Sequence, residues 1–232
     1  MEWQEATIYH KISLSNVLSK SGKWIEPKPD NAYRLLTVRM WGKGVVERGV
    51  LNGSEMSAKR MIVVCPQQFI ISRIDARNGA SGLIPTDCDG AIVTNDFPVY
   101  DTDPSKLLPQ YLEWLSKTSH FIELCKLASE GTTNRVRLKE DAFLKITIPL
   151  LPLEEQRRIV ARIEDLAGAI ADARGLRARS IEDCGLLLKS SAKAIINNES
   201  NKKTLKDIVS IKGGGTPSKQ NSTFWEGQGK RT

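Results

Sequence analysis

Cysteine and histidine are scarce in this sequence: 232 residues hold Cys65, Cys88, Cys125 and Cys184, with His10 and His120 as the sole histidines. The cysteines show no paired metal spacing, and they read as reduced thiols of a cytoplasmic protein. Long apolar runs are missing too. No stretch approaches the roughly 18 apolar residues of a membrane span, and no charged-then-apolar leader opens the chain. A protein neither exported nor inserted is expected, with no membrane partner.

Catalytic signatures are as sparse. Gly213-Gly214-Gly215-Thr216-Pro217-Ser218-Lys219 has the look of a phosphate loop, but Ser218 and Gln220 stand where such a loop needs glycine before its lysine and a hydroxyl after it. Gly42-x-Gly44 lacks the third glycine of a Rossmann turn, so no nicotinamide or methyl-donor pocket of that type is indicated. Asn95-Asp96-Phe97-Pro98 has residue types of the amino-methyltransferase motif in the wrong order and reads as a turn. The two histidines stand in no nucleophile arrangement. Glu154-Glu155 could be a carboxylate pair, yet acidic residues at the head of a helix are explained by its dipole. The chain is expected to hold no catalytic residues, no metal and no cofactor.

What is present is positive charge, +7 in all with 40% hydrophobic residues. That suits a globular protein that binds nucleic acid, although charge alone does not decide it. The length allows one domain of about 150 residues with a full core, plus an extension. Short β-type runs recur at Leu35–Met40, Val45–Val50, Met61–Val64, Phe69–Ile74, Ala91–Thr94 and Phe97–Tyr100, with Gly42 and Gly44 turning between the first two. Before them, Ile12–Leu18 reads as one short strand or helix, followed by a loop carrying Trp24. Pro109–Leu127 reads as a helix pair with Asp103 or Ser105 as possible caps. The fold class is α+β: a mostly antiparallel sheet or partly open barrel, followed by a long coiled-coil-type helix.

That helix begins after the extended run ending Pro149-Leu150-Leu151-Pro152-Leu153. Ile159, Ile163, Leu166, Ile170 and Ala173 recur at spacings of four and three, then Ile181, Cys184, Leu188, Ala192 and Ile195 resume the stripe after an eleven-residue step. About forty residues stay amphipathic, on the order of 60 Å of helix. Gly168, Gly175 and Gly185 each cost roughly 1 kcal/mol against alanine. Either a partner packs on the stripe, or the helix lies on its own domain. Beyond it, Lys203–Gly213 aligns with Ile12–Gly22 at a constant offset, with three of eleven positions identical. The chain thus begins a second copy of its first domain.

Basic and amide side chains gather in four groups: Arg39, Lys43 and Arg48; Lys59 and Arg60; Ser72, Arg73, Arg77 and Asn78; and Thr132, Thr133, Asn134, Arg135 and Arg137. Arginine and lysine neutralise phosphates or read guanine, and asparagine reads adenine, so the mixture suits duplex DNA; solvated loop charge is the plainer alternative. Trp24 and Trp41 lie near the first group, as core or rim residues or as platforms for an extruded base.

The stretches Phe69–Pro85, Gly90–Pro98, Gly131–Leu138 and above all Pro152-Leu153-Glu154-Glu155-Gln156-Arg157-Arg158-Ile159 resemble, in order, the specificity (S) subunit of type I restriction-modification systems. The resemblance covers residues 35 to 196. It implies a target recognition domain at 1–150, a spacer helix at 151–198 and the opening of a second recognition domain at 199–232, so that this is a half-length subunit. It further implies that the domain reads one half of a split double-stranded DNA target. An M (methyltransferase) subunit carries S-adenosylmethionine, flips the target adenine and methylates it, and an R (restriction) subunit adds translocation and cleavage. The stripe Ile159, Ile163, Leu166, Ile170, Ile181, Leu188 and Ile195 is then the partner face, for the M subunit or for a second copy packed antiparallel. A helical adaptor that uses only its long helix, or a stand-alone DNA-binding protein without such a partner, is the alternative. A nuclease would need clustered carboxylates with a lysine, which Pro29-Asp30 does not provide.

Overall fold

The structure, a computed structural model, describes residues 10–131, 136–198 and 209–210. The repeat at Lys203–Gly213 and the glycine run after it lie outside them, save residues 209–210. Two compact units divide the chain, Met1–Ile170 and Ala171–Thr232.

In the first unit the chain opens with β1 (His10–Ser13), β2 (Leu18–Ser21) and β3 (Lys23–Ile25). A long hairpin of β4 (Ala32–Arg39) and β5 (Gly44–Asn52) follows. Short strands then run β6 (Met61–Val63), β7 (Phe69–Ile71), β8 (Ser81–Leu83), β9 (Ile92–Val93) and β10 (Val99–Thr102). After the helices α1 (Pro109–Ser116) and α2 (Ser119–Leu127) come β11 (Ser129–Glu130), β12 (Arg137–Leu138), α3 (Glu140–Leu144) and β13 (Thr147–Leu150). The helix α4 (Leu153–Asn198) is 46 residues long and continues into the second unit.

The widest sheet has five strands in the order β3-β6-β9-β4-β5, and a four-stranded sheet runs β2-β10-β7-β8. Among the described residues, pairing is antiparallel except between β4 and β9, which meet at Leu35 and Ile92. Alternation of side chains across β7 feeds two cores at once. Phe69 and Ile71 face a core shared with Leu112, Phe121 and Phe143, while Ile70 joins Leu36, Ile62, Ile84 and Val93. β10 is built alike, with Tyr100 in the first core and Val99 in the second.

Three expectations change. Ile12–Leu18 is not one element: a tight turn at Leu14–Asn16 separates β1 from β2, since it lets both Leu14 and Val17 be buried. Trp24 lies in β3 rather than a loop, because Lys23–Ile25 pairs with Met61–Val63. Neither Asp103 nor Ser105 caps α1 through its side chain; α1 opens on Pro109, which has no N–H to satisfy, and Thr118 caps α2 by accepting from the Phe121 N–H at 3.3 Å.

Candidate nucleic-acid interface

The β4–β5 hairpin ends in a turn that only unusual backbone can make. Trp41, Gly42 and Gly44 all have φ between 64° and 74°. The turn is fastened to a neighbouring loop: the Trp41 N–H donates to the Asn78 carbonyl at 2.7 Å and the Gly42 N–H to the Gly79 carbonyl at 3.1 Å. Gly79, at φ 69°, holds a left-handed backbone that a side chain would strain, and a Cβ there would also press on Ile122 Cδ1 at 3.0 Å. The result is one corner that brings Arg39 and Lys43 of the first basic group beside Arg77 and Asn78 of the third. Arg39 and Lys43 are exposed there, Arg77 and Asn78 are half-buried, and Trp41 is 69% exposed. Arg48 is exposed on β5, where the pairing register with β4 slips between Leu35 and Leu36.

A second cluster has its charges already paired. The Arg73 guanidinium bonds the Glu140 carboxylate, which also accepts from Lys20 Nζ at 2.7 Å. The backbone of Arg73 donates to the Asp96 carbonyl and accepts from the Leu138 N–H, each at 2.8 Å, and Arg137 reaches the Asp96 carboxylate at 2.6 Å. Ser72 is 2% exposed and its hydroxyl accepts from the Asp75 N–H at 3.1 Å. Ser72 therefore holds the loop and has no surface to offer a duplex. Arg73 likewise ties two segments together rather than standing free. Thr132, Thr133, Asn134 and Arg135 lie outside the described residues. Lys59 and Arg60 are exposed but stand apart: Arg60 lies 4.9 Å above the Trp24 ring, on β3 at the sheet edge opposite β5.

Where β13 passes into α4, a residue with no assigned role in the sequence proves central. Gln156 is fully buried; its Oε1 accepts from the Leu108 N–H at 2.9 Å, and its Nε2 donates to the carbonyls of Lys106 at 2.7 Å and Leu151 at 2.8 Å. The flanking acids form surface pairs, Glu154 with Arg157 and Glu155 with Arg158. The hydrogen bond from Arg158 holds the Glu155 carboxyl below its ordinary range. Ile159 is half-buried against the domain's core, and Ile163 joins it in a small apolar groove with Tyr111, Trp114 and Leu115. The stripe is thus not bare throughout, because α1 covers its first turns. Leu166 and Ile170 emerge at 48% and 52% exposure. In the second unit Ile181, Leu188 and Ile195 are at least 65% exposed, with Leu186, Leu187 and Ile196 beside them.

No family model and no curated protein matches the chain. Solved structures do. The HsdS subunit from Thermoanaerobacter tengcongensis superposes with a TM-score of 0.63 at 24% identity, over 81% of this chain and 49% of that one. The fold is that of HsdS. A chain from a structure on complex assembly and conformational transition of the type I R-M system matches with a TM-score of 0.62 at 21% identity, over 88% of this chain and 53% of the other. This chain therefore spans about half the length of the HsdS-fold chains it matches.

The four cysteines are free thiols, and Cys125 and Cys88 pack into the first and second cores of this HsdS fold. Cys65 and Cys184 are exposed; Cys88 and Cys125 are buried, and burial pushes the Cys125 thiol up to about 12. Among the described residues no helix is long and apolar enough to cross a membrane. The sequence signal for the pinned corner was the glycine pair around Lys43. For Gln156 it was the place of glutamine inside the Pro-Leu-Glu-Glu-Gln-Arg-Arg junction.

Proposed function

We propose that this chain is the DNA-recognition subunit of a type I restriction-modification methyltransferase complex. It reads one half of a bipartite target and positions an M subunit that binds S-adenosylmethionine and methylates adenine. An R subunit joins in the full complex. The observation that carries this reading is the pinned corner: Arg39 and Lys43 flank a hairpin tip that two backbone hydrogen bonds fix to the loop carrying Arg77 and Asn78, on an HsdS fold. Rigid elements hold base-reading groups to register better than free loops do. Arg48, Lys59, Arg60 and Arg137 are exposed cations that would take further phosphates, and Thr132, Thr133, Asn134 and Arg135 are assigned to DNA from the sequence alone. Phosphate contacts of this kind fix orientation, and base-edge contacts specify sequence.

The helix supplies the second half of the function. Its bared stripe, from Leu166 through Ile195, is the face for helices of the M subunit or for α4 of a second copy lying antiparallel. Two copies related by a two-fold axis would read an inverted repeat. Residues 1–150 act as the reader, 151–198 as the spacer and 199–232 as the opening of a further reader. The test is a methylome. Cells given this chain together with its M subunit should gain adenine methylation at one new motif, absent with either protein alone. Unchanged methylation, or methylation by the chain unaided, would overturn the reading.

A further inference from the structure

Trp41 departs from two regularities at once. Bulky residues avoid the left-handed region of backbone space, yet Trp41 has φ 64°. Tryptophans are highly buried on average, yet this one is among the most exposed large apolar residues of the chain. The hairpin turn requires a positive φ at this position, but folding by itself gives no reason for a tryptophan to supply it or to stand exposed there. Glycine would adopt that backbone without strain, and the hydrogen bond Trp41 makes in the corner comes from its N–H, which glycine also has. Strained positions persist where the surroundings fix them, and they gather at sites of function. Here Asn78 and Gly79 fix the backbone of the turn while the indole projects into solvent.

The charge around it selects the kind of partner. From Arg39 to Val46 the tip carries two cations and no acid, and Arg77 adjoins Asn78, which holds the tip. Lys117 packs beside Gly42 with Glu113 paired to it, so an exposed apolar ring on a tip whose own charges are all positive suits a polyanion with stackable faces. We propose that Trp41 is a base-contacting wedge. Its indole enters the duplex and partly unstacks a base step, while Arg39, Lys43 and Arg77 hold the flanking phosphates. This rests on the DNA-reading function proposed above. Apolar wedges act most readily at flexible pyrimidine–purine steps, so such a step should lie within the recognised sequence.

The test uses the full chain and a labelled duplex recovered from a randomised library by the wild-type protein. Trp41→Ala should weaken binding about ten- to hundred-fold, the range of one lost stacking contact, and Trp41→Phe should keep most of the affinity. The slope of affinity against salt should not change, because no phosphate contact is removed. Trp41→Gly should lose affinity like alanine while its melting temperature rises, since the left-handed strain is relieved. 2-Aminopurine placed at the pyrimidine–purine step should brighten on adding wild type and not on adding Trp41→Ala. Wild-type affinity in Trp41→Ala overturns the proposal, and so does a Trp41→Gly protein that loses stability and binding together. If Trp41→Ala binds DNA normally but no longer captures the M subunit, the wedge is a protein contact and the proposal fails. A wild-type chain that binds no duplex in a salt-dependent way removes the DNA-reading function itself, a result separate from the others.

Discussion

Gln156 and Leu108 are 48 residues apart in sequence, and the buried carboxamide of the first accepts the backbone N–H of the second at 2.9 Å. The same carboxamide donates to the carbonyls of Lys106 and Leu151, so one side chain closes the loop before α1 and the end of β13 onto the first turn of α4. The spacer role proposed for α4 needs such a rigid root. Replacing Gln156 by leucine leaves a buried N–H and two carbonyls to lose their partner. Each orphaned group costs about 1–3 kcal/mol, and partial relaxation should leave a net loss of about 2–4 kcal/mol. Urea unfolding of Gln156→Leu would measure it. A midpoint equal to wild type would mean that the root is held by apolar packing alone.

Acid should loosen the neighbouring turn. The Asp103 carboxylate accepts from Lys106 Nζ at 2.7 Å, the Ser105 hydroxyl at 2.6 Å and the Ser105 N–H at 3.0 Å. These bonds, the Lys106 one foremost, hold its pKa down at about 2 against an ordinary 3.8. A depressed carboxylate contributes stability above the unfolded pKa and loses it as pH falls through the folded one. The contribution is therefore nearly complete above about pH 4, falls progressively with pH, and disappears only below the folded pKa of about 2. Melting curves of wild type and Asp103→Asn should differ above that window, approach each other through it and converge below it. A constant difference across the window would show that the carboxylate charge is not what matters.

The architecture was legible in sequence where a pattern was long or chemically distinctive. The stripe from Ile159 to Ile195 announced α4, and the glycines around Lys43 announced the hairpin of β4 and β5. Less legible were features that exist only through distant contacts. Ile12–Leu18 looked like one element because its break serves the burial of Leu14 and Val17 against residues more than a hundred positions away, such as Ile146 and Ile148. The burial of Ser72 and the pairing of Arg73 with Glu140 were also hidden, because composition does not tell a free guanidinium from one that bonds a carboxylate. Trp41 drew notice as an aromatic near cations, but its backbone strain appears only in coordinates.

Arg73 and Arg77 should behave in opposite ways although they are four residues apart. Arg73→Ala leaves Glu140 without its guanidinium, so it should lower the melting temperature and affect DNA affinity only through stability. Arg77→Ala should fold normally and lose about 1–3 kcal/mol of DNA binding if Arg77 reads a base, with relaxed preference at one position. If it holds a phosphate, binding should weaken evenly and the salt slope should drop by about one. Thermal melts and competition binding on both variants decide this, and unchanged binding in Arg77→Ala would take it off the interface.

The bared stripe should matter for assembly and not for folding. Leu188 is 73% exposed, so Leu188→Asp should leave the melting of the first unit unchanged while abolishing association through α4. Light scattering, with and without the M subunit, gives the readout. A variant that assembles like wild type would place the partner face elsewhere.

The claim beneath all of this is that the first unit reads DNA, and selection from a randomised duplex library with the purified full chain tests it most directly. The expected result is enrichment of one short motif, or of its inverted repeat if two copies bind together, with affinity falling steeply as salt rises. A recovered pool indistinguishable from the input, or binding indifferent to salt, would contradict it.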